Sequence, residues 1–395
     1  MPRAHLLLVA LSASLVLGCE STPTATSSGS GDTNAPLSAA PPADADQASP
    51  TGGVVTDAEG FRIVHDDWSR LGYRWDWTSR PFISPRGTIT DFVPAGDLVI
   101  AQESGSNLSV LDAATGRLLW TSQLGSRFTK FVGSVRDGDI ILTSSASELF
   151  ELGASSGNLV GKSKFRFLVD SPPVLVGDLA IYASGSGKLL AHSRSAGVGS
   201  WAYGLSGQIV VPPVRVGDSI IGAVSQGGDV IFLDPTTGAS VGRNKISAGV
   251  EGVPVADAER MYVASLDQSI YAFDAIEGAL AWRVRTKFPV RAQPALHDGS
   301  LYIALATHGM TAFDTVDGSL RWRNDAIHGE VIGVRDGELL VWDGADLALL
   351  DPQNGDVIRR HTFPGAQRVV TDRFVDGALY VVGQSGAIVR FVPRS

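Results

Sequence analysis

The stretch "DAATGRLLW", Asp112–Trp120, decides how the rest of the chain is read. It returns as "DAIEGALAW" from Asp274 and as "DTVDGSLRW" from Asp314. An Asp carboxylate can bond backbone amides inside a turn, and Gly accepts the positive φ that completes it. The same device is legible at Asp234/Gly238 and Asp351/Gly355. Four residues past the glycine stand Trp120, Trp201, Trp282 and Trp322, with Gly161, Gly242 and Arg359 in the equivalent places of other copies. A second pattern, a small or acidic residue next to Gly followed by an apolar strand, reads "GDLVIA" at Gly96, "GDIILT" at Gly138 and "GALYVV" at Gly377. Eight copies between Gly96 and Gly377 set a period of about 40 residues. Each copy holds four short apolar strands separated by turn signals, which is the pattern of a propeller blade.

The expected fold is therefore all-β, an eight-bladed β-propeller of four-stranded blades over residues 67–395. The eighth copy supplies three strands. The segment "LGYRWDWTS" at 71–79 has no partners of its own, and its "WTS" at Trp77 repeats the "WTS" at Trp120. This predicts that the N-terminal strand, carrying Trp75 and Trp77, is the missing outer strand and closes the ring. Pairing both chain ends in one sheet removes open strand edges. Seven blades is the alternative if that strand does not pair. The indoles are read as packing over the seams between blades, since aromatic side chains bury large areas.

Residues before the repeats have a different character. Leu6–Leu17 is apolar but too short to span a bilayer, behind a short polar start with Arg3 and His5. Residues 1–18 read as a secretory signal, and Val16-Leu17-Gly18-Cys19 resembles a bacterial lipobox. Cys19 is the one cysteine of the chain, so no internal disulfide is available and lipidation at Cys19 is the expected use. Residues 19–66 are rich in Ser, Thr, Ala, Pro and Gly and read as a flexible tether. The expected location is the bacterial envelope, with a monomeric body held to a membrane through its N-terminal lipid, most simply the outer membrane on its periplasmic side.

The run Asp112, Thr115, Gly116 and Trp120 resembles the tryptophan-docking motif of pyrroloquinoline-quinone-like (PQQ-like) repeat propellers, over roughly residues 70–395. One branch of that family is the quinoprotein dehydrogenases, whose site uses adjacent cysteines and a bound ion. A chain with a single cysteine departs from that pattern. Another branch includes the lipoprotein B subunit of the outer-membrane barrel-assembly machinery, a scaffold without cofactor. Similarity to that branch implies a non-enzymatic protein-binding role with envelope partners and no cofactor.

The remaining chemistry is sparse. A formal charge of -9 argues against a dedicated nucleic-acid binder. No His pair has the HExxH spacing, and "SGSGK" ending at Lys188 lacks the Ser or Thr and the helix of a phosphate loop. Two basic trios alternate along outer strands, Lys162, Lys164 and Arg166, and Arg283, Arg285 and Lys287. They read either as edge protection or as a contact strip for an acidic partner. The competing functional reading is a small-ligand binder or quinoprotein-type enzyme using the axial funnel, where Arg215 and His297 are the polar candidates on inner strands.

Overall fold

A computed structural model describes residues 54–56, 62–126 and 128–394. Cys19, the signal segment 1–18 and residues 19–53 of the predicted tether lie outside them. Within the C-terminal part of that tether, Val54–Thr56 pairs antiparallel with Arg62–Val64. One six-residue helix, α1 (His65–Arg70), follows. Among the described residues no helix is long and apolar enough to cross a membrane.

Eight four-stranded antiparallel sheets make up the remainder. Blades 1 to 7 occupy residues 89–123, 131–164, 174–204, 214–245, 255–285, 295–324 and 330–362 in chain order. Blade 8 takes three strands from 366–393 and its outer strand from Tyr73–Ser79. The N-terminal strand pairs with Ile388–Pro393, placing Thr78 opposite Val389 and Trp75 opposite Phe391. The fold is an eight-bladed propeller, and the seven-blade alternative is set aside.

Strand character follows position in the blade. Second and third strands are buried on both faces, as in Leu98–Glu103, where every residue is buried. Outer strands alternate between exposed and partly buried residues, as in Leu118–Gln123. Each hydrophobic cluster draws mainly on two neighbouring blades. Met261, Val263 and Phe273 of blade 5 pack with Val224 and Phe232 of blade 4. Blade-to-blade burial is thus the main stabilising term, and it is apolar. In blades 1 to 7 the outer strand shifts register once against the third, between Val110 and Leu111 in blade 1 and between Ala272 and Phe273 in blade 5. Such a bulge twists the strand and re-aims the side chain beside it. That side chain is the tryptophan or its replacement: Trp120 faces Val110, Trp201 faces Ala191, Trp282 faces Ala272 and Trp322 faces Ala312.

Candidate interaction surface: docking seams and rim clefts

The turn that opens the motif is a closed unit. Gly116 N donates to Asp112 O at 2.9 Å, Thr115 N donates to Asp112 Oδ1 at 2.8 Å, and Gly116 has φ +70°. A hydroxyl hydrogen bond from Thr115 holds the Asp112 carboxyl below its ordinary pKa, against a smaller desolvation effect. These turns receive the tryptophan of the preceding blade. Trp120 Nε1 donates to Ala154 O at 2.8 Å, Trp201 to Pro235 O at 2.9 Å, Trp282 to Thr315 O at 2.9 Å and Trp322 to Pro352 O at 2.7 Å. Each indole lies flat over the glycine, where an added Cβ would fall 2.4–2.7 Å from the ring at Gly157, Gly238, Gly318 and Gly355. Trp77 does the same across the ring closure. Its Nε1 donates to Ala113 O at 3.0 Å, and a Cβ on Gly116 would lie 2.5 Å from its ring. Trp75 stays partly exposed, with Nε1 donating to Thr78 Oγ1 at 3.2 Å.

Three seams lack this indole, and each is resolved differently. Between blades 4 and 5, Gly242 lets the backbones touch: a Cβ there would lie 2.5 Å from Gly278 N. Between blades 7 and 8, α1 fills the gap. Trp68, almost fully buried, stacks on Phe363 and Phe391 with centroids 4.2 and 3.4 Å apart. Arg359, at the indole's place, donates to Arg70 O of the helix. From the first strand of the same blade, Arg335 donates to Gly72 O at 3.0 Å, to Arg394 O at 2.5 Å and to Asp376 Oδ1 at 2.8 Å, tying both ends of the blade 8 closure to blade 7. Between blades 2 and 3 neither solution is used. Gly161 stands in the indole's place, and the nearest atom to a Cβ on Gly197 would be Ser163 Cβ, at 3.7 Å. Polar contacts span that seam: Ser163 Oγ to His192 Nε2 at 2.7 Å, Ser144 Oγ to Tyr182 OH at 2.8 Å, and Arg194 to Asp137 at 2.7 Å. Burial lowers the His192 pKa from its ordinary value, so the ring is neutral at pH 7.

The axis offers little chemistry. The space enclosed by inner strands of blades 4 to 8, about 510 Å³, is lined mainly by apolar residues such as Val255, Leu296, Ile332 and Val369, with Gln293 and Glu330 among the polar ones. Arg215 is exposed and donates to Asp218 O at 3.1 Å, within its own hairpin turn. His297 packs its ring near Phe374. The two lie on different blades and do not line this space. Among the described residues no group of three or more His, Cys, Asp or Glu side chains is placed to hold a metal ion.

The basic trios lie on the outer strands of blades 2 and 5 and their exits, and all six side chains are exposed. Lys162 pairs with Glu148 at 3.1 Å and sits 4.8 Å from the Phe150 ring. Arg283 bonds Ser269 Oγ and covers Tyr271 at 5.1 Å. The far end of each trio borders a rim cleft. Arg285 and Lys287 line one of about 240 Å³ between blades 5 and 6, with His308 and Arg323. Arg166 lines one of about 300 Å³ between blades 2 and 3, with Phe165, Phe167, Tyr182, His192 and Trp201. The second cleft occupies the seam that has no docking indole.

A family model described as outer membrane protein assembly factor BamB matches residues 104–248 and 226–394, well over half of the chain. The chain belongs to this family. A relative from Burkholderia pseudomallei (strain K96243), an outer membrane protein assembly factor BamB, is 24% identical over 207 residues, covering 48% of this chain and 54% of the relative. The chain thus spans about half the length of that curated relative in the matched region. Among solved structures, BamB from Moraxella catarrhalis superposes with a TM-score of 0.64 at 17% identity, covering 81% of this chain and 97% of that one. The computationally designed Ika8 protein superposes with a TM-score of 0.63 at 11% identity, covering 79% and 99%. At such identities the two structures share the fold.

Against this BamB-family frame, sequence reading missed the arginines that cross seams on the hairpin-turn face. Arg136 donates to Ala95 O at 2.8 Å, Arg194 pairs with Asp137 at 2.7 Å, and Arg260 donates to Val316 O at 2.9 Å. Their place in the repeat, within three residues of each first hairpin turn except for Arg194, was a usable signal. Glu103 was also missed. Burial raises its pKa, but hydrogen bonds from Ser84 and Asn107 outweigh this and hold it ionised, fastening the 80–88 segment to blade 1.

Proposed function

We propose that this chain is a non-enzymatic scaffold in outer-membrane protein assembly, binding other envelope proteins of the barrel-assembly machinery. A lipid on Cys19 anchors it, and residues 19–66 give the propeller reach. Family membership across most of the propeller is the observation that carries this reading. The geometry supports it: a closed ring with indole-locked seams is a rigid body, and rigid presentation of loops and edges is what a scaffold requires. The axial space offers no specific support for the ligand-binding alternative, because Arg215 and His297, its two candidates, do not line it.

The test is genetic and biochemical. Loss of the gene should lower the amount of folded outer-membrane β-barrel proteins, and the wild-type chain should restore it. Cys19→Ser should move the protein from the membrane to the soluble envelope fraction and weaken that restoration. Unchanged barrel levels on deletion would refute the assembly role. Membrane retention of Cys19→Ser would refute the anchor.

A further inference from the structure

We infer that the cleft between blades 2 and 3 is a docking site for an acidic protein segment carrying an aromatic or aliphatic anchor residue. The inference goes beyond the assembly role, since it names the chemistry of a partner and its place on the ring. Its origin is a local departure from the repeat. Blades 1, 3, 5, 6 and 8 roof the seam to the next blade with an indole. Blade 2 has Gly161 there, yet neither backbone approach nor a helix fills the space. What is left is a cleft of about 300 Å³ walled by Phe165, Phe167, Tyr182 and Trp201. That volume lies at the small end of the range for ligand sites and suits one or two side chains.

Charge selects the occupant. The protein carries a formal charge of -9, yet no carboxylate lines this cleft. Arg166 lies 5.3 Å from the Phe167 ring centroid, and Lys188 Nζ lies 3.9 Å from the same centroid. Lys164 ends the outer strand of blade 2, two residues before Arg166. Among the described residues none of these three cations pairs with a carboxylate. Cations held over an aromatic face are partly desolvated and positioned to meet an incoming anion. Leu168, 63% exposed, extends the apolar surface beside Phe167. The blade 5/6 cleft is a weaker candidate, because Asp325 already lies 3.9 Å from Arg323 and 4.0 Å from His308. An apolar anchor rimmed by acids fits the first cleft: the anchor enters between the aromatic walls and the acids meet Arg166 and Lys188. Such an arrangement of buried anchor and charged rim is how compact protein contacts gain affinity and specificity.

The probe is a fluorescein-labelled heptapeptide, EDFEDLE, titrated by anisotropy into the mature chain. Comparison peptides are EDAEDAE, which lacks anchors, and KKFKKLK, which reverses charge. Saturable binding of EDFEDLE, with both comparisons at least about tenfold weaker, is expected. Arg166→Glu/Lys188→Glu should weaken EDFEDLE about tenfold or more, while the matched reversal Arg283→Glu/Arg285→Glu stays within about twofold. Thermal melts check folding, and exposed Arg166→Glu alone serves if the pair does not fold. A photo-crosslinker at Ser200, on the cleft wall, should capture EDFEDLE and not EDAEDAE. No saturable binding, or an equal loss in both charge-reversed pairs, overturns the inference. So does crosslinking from Ser200 only to the chain's own residues 19–53. Binding with no effect of gene loss on outer-membrane proteins would keep the site and remove the assembly role.

Discussion

Trp77→Ala, alone and with Gly116→Ala, probes the ring closure where the two ends of the chain meet. Trp77 is 7% exposed, and its indole spans from the N-terminal strand to the turn between the third and outer strands of blade 1. A buried indole removes up to about 250 Å² from water, roughly 6 kcal/mol gross at about 25 cal/mol per Å². Allowing for the alanine that stays behind and for partial collapse, Trp77→Ala should cost about 3–5 kcal/mol. Gly116→Ala meets two penalties. Its φ of +70° costs an L residue about 1–2 kcal/mol, and the new Cβ would lie 2.5 Å from the Trp77 ring. The clash vanishes when the indole is gone, so the double variant should fall short of additivity by about 1–3 kcal/mol. The assay is urea unfolding followed by far-UV circular dichroism, read as the midpoint at constant slope. A Trp77→Ala cost below about 1 kcal/mol, or strict additivity of the two changes, would refute the docking account of closure.

Three further outcomes follow from single contacts. Arg335→Met leaves Arg394 O without its side-chain donor and takes one donor each from Gly72 O and Asp376, which keep Arg394 N and Asp336 N, and should cost about 1–3 kcal/mol in the same unfolding assay. A loss under about 0.5 kcal/mol would mean the closure does not depend on it. Gly278→Ala should destabilise far more than Gly138→Ala, although both have positive φ: a Cβ at 278 would lie 2.5 Å from Arg243 N, whereas 138 has nothing within 4 Å. Equal melting temperatures would contradict the backbone-contact seam. Burial raises the Asp229 pKa, but hydrogen bonds from Lys245 and Ser206 outweigh it and bring the carboxyl to about 2, below its ordinary 3.8. A depressed carboxyl stabilises the fold above pH 4 and loses that contribution as pH falls through about 2. Asp229→Asn should therefore cost about 1 kcal/mol at pH 7, after screening of a part-exposed pair, and flatten the acid limb of the stability curve. An unchanged acid limb would remove Lys245 and Ser206 as the cause.

Much of the ring was legible because it is written in repeats of turn chemistry. Asp112, Asp234, Asp274, Asp314 and Asp351 each announce a turn, and "WTS" at Trp77 pointed across the chain to its place in blade 8. Where the Asp is replaced, the turn persists by other means that spacing does not reveal. In blade 3 Ser193 stands at the Asp position, and Asp178 of the neighbouring hairpin donates no proton but accepts from Ser193 Oγ at 2.6 Å and from Ser195 N at 2.9 Å. The different fates of the seams lacking an indole were not legible either. Gly161 and Gly242 are the same residue at the same repeat position, yet only the second permits backbone contact, because the outcome rests on how the next blade is set. Trp68 could not be assigned, since a six-residue helix before the repeats gives no periodic signal of what it covers. The basic trios were visible as alternation along strands, but the aromatic walls beside Arg166 come from two strands of the next blade and from the blade 2 exit.

The measurement that tests the scaffold account most directly is photo-crosslinking in intact cells from sites around the propeller of the tagged full-length chain, read by mass spectrometry. The account predicts site-specific capture of outer-membrane protein assembly components, lost when the same crosslinker is moved to the opposite side of the ring. Capture of none of these components from any site, with the protein folded and at normal levels, would contradict it.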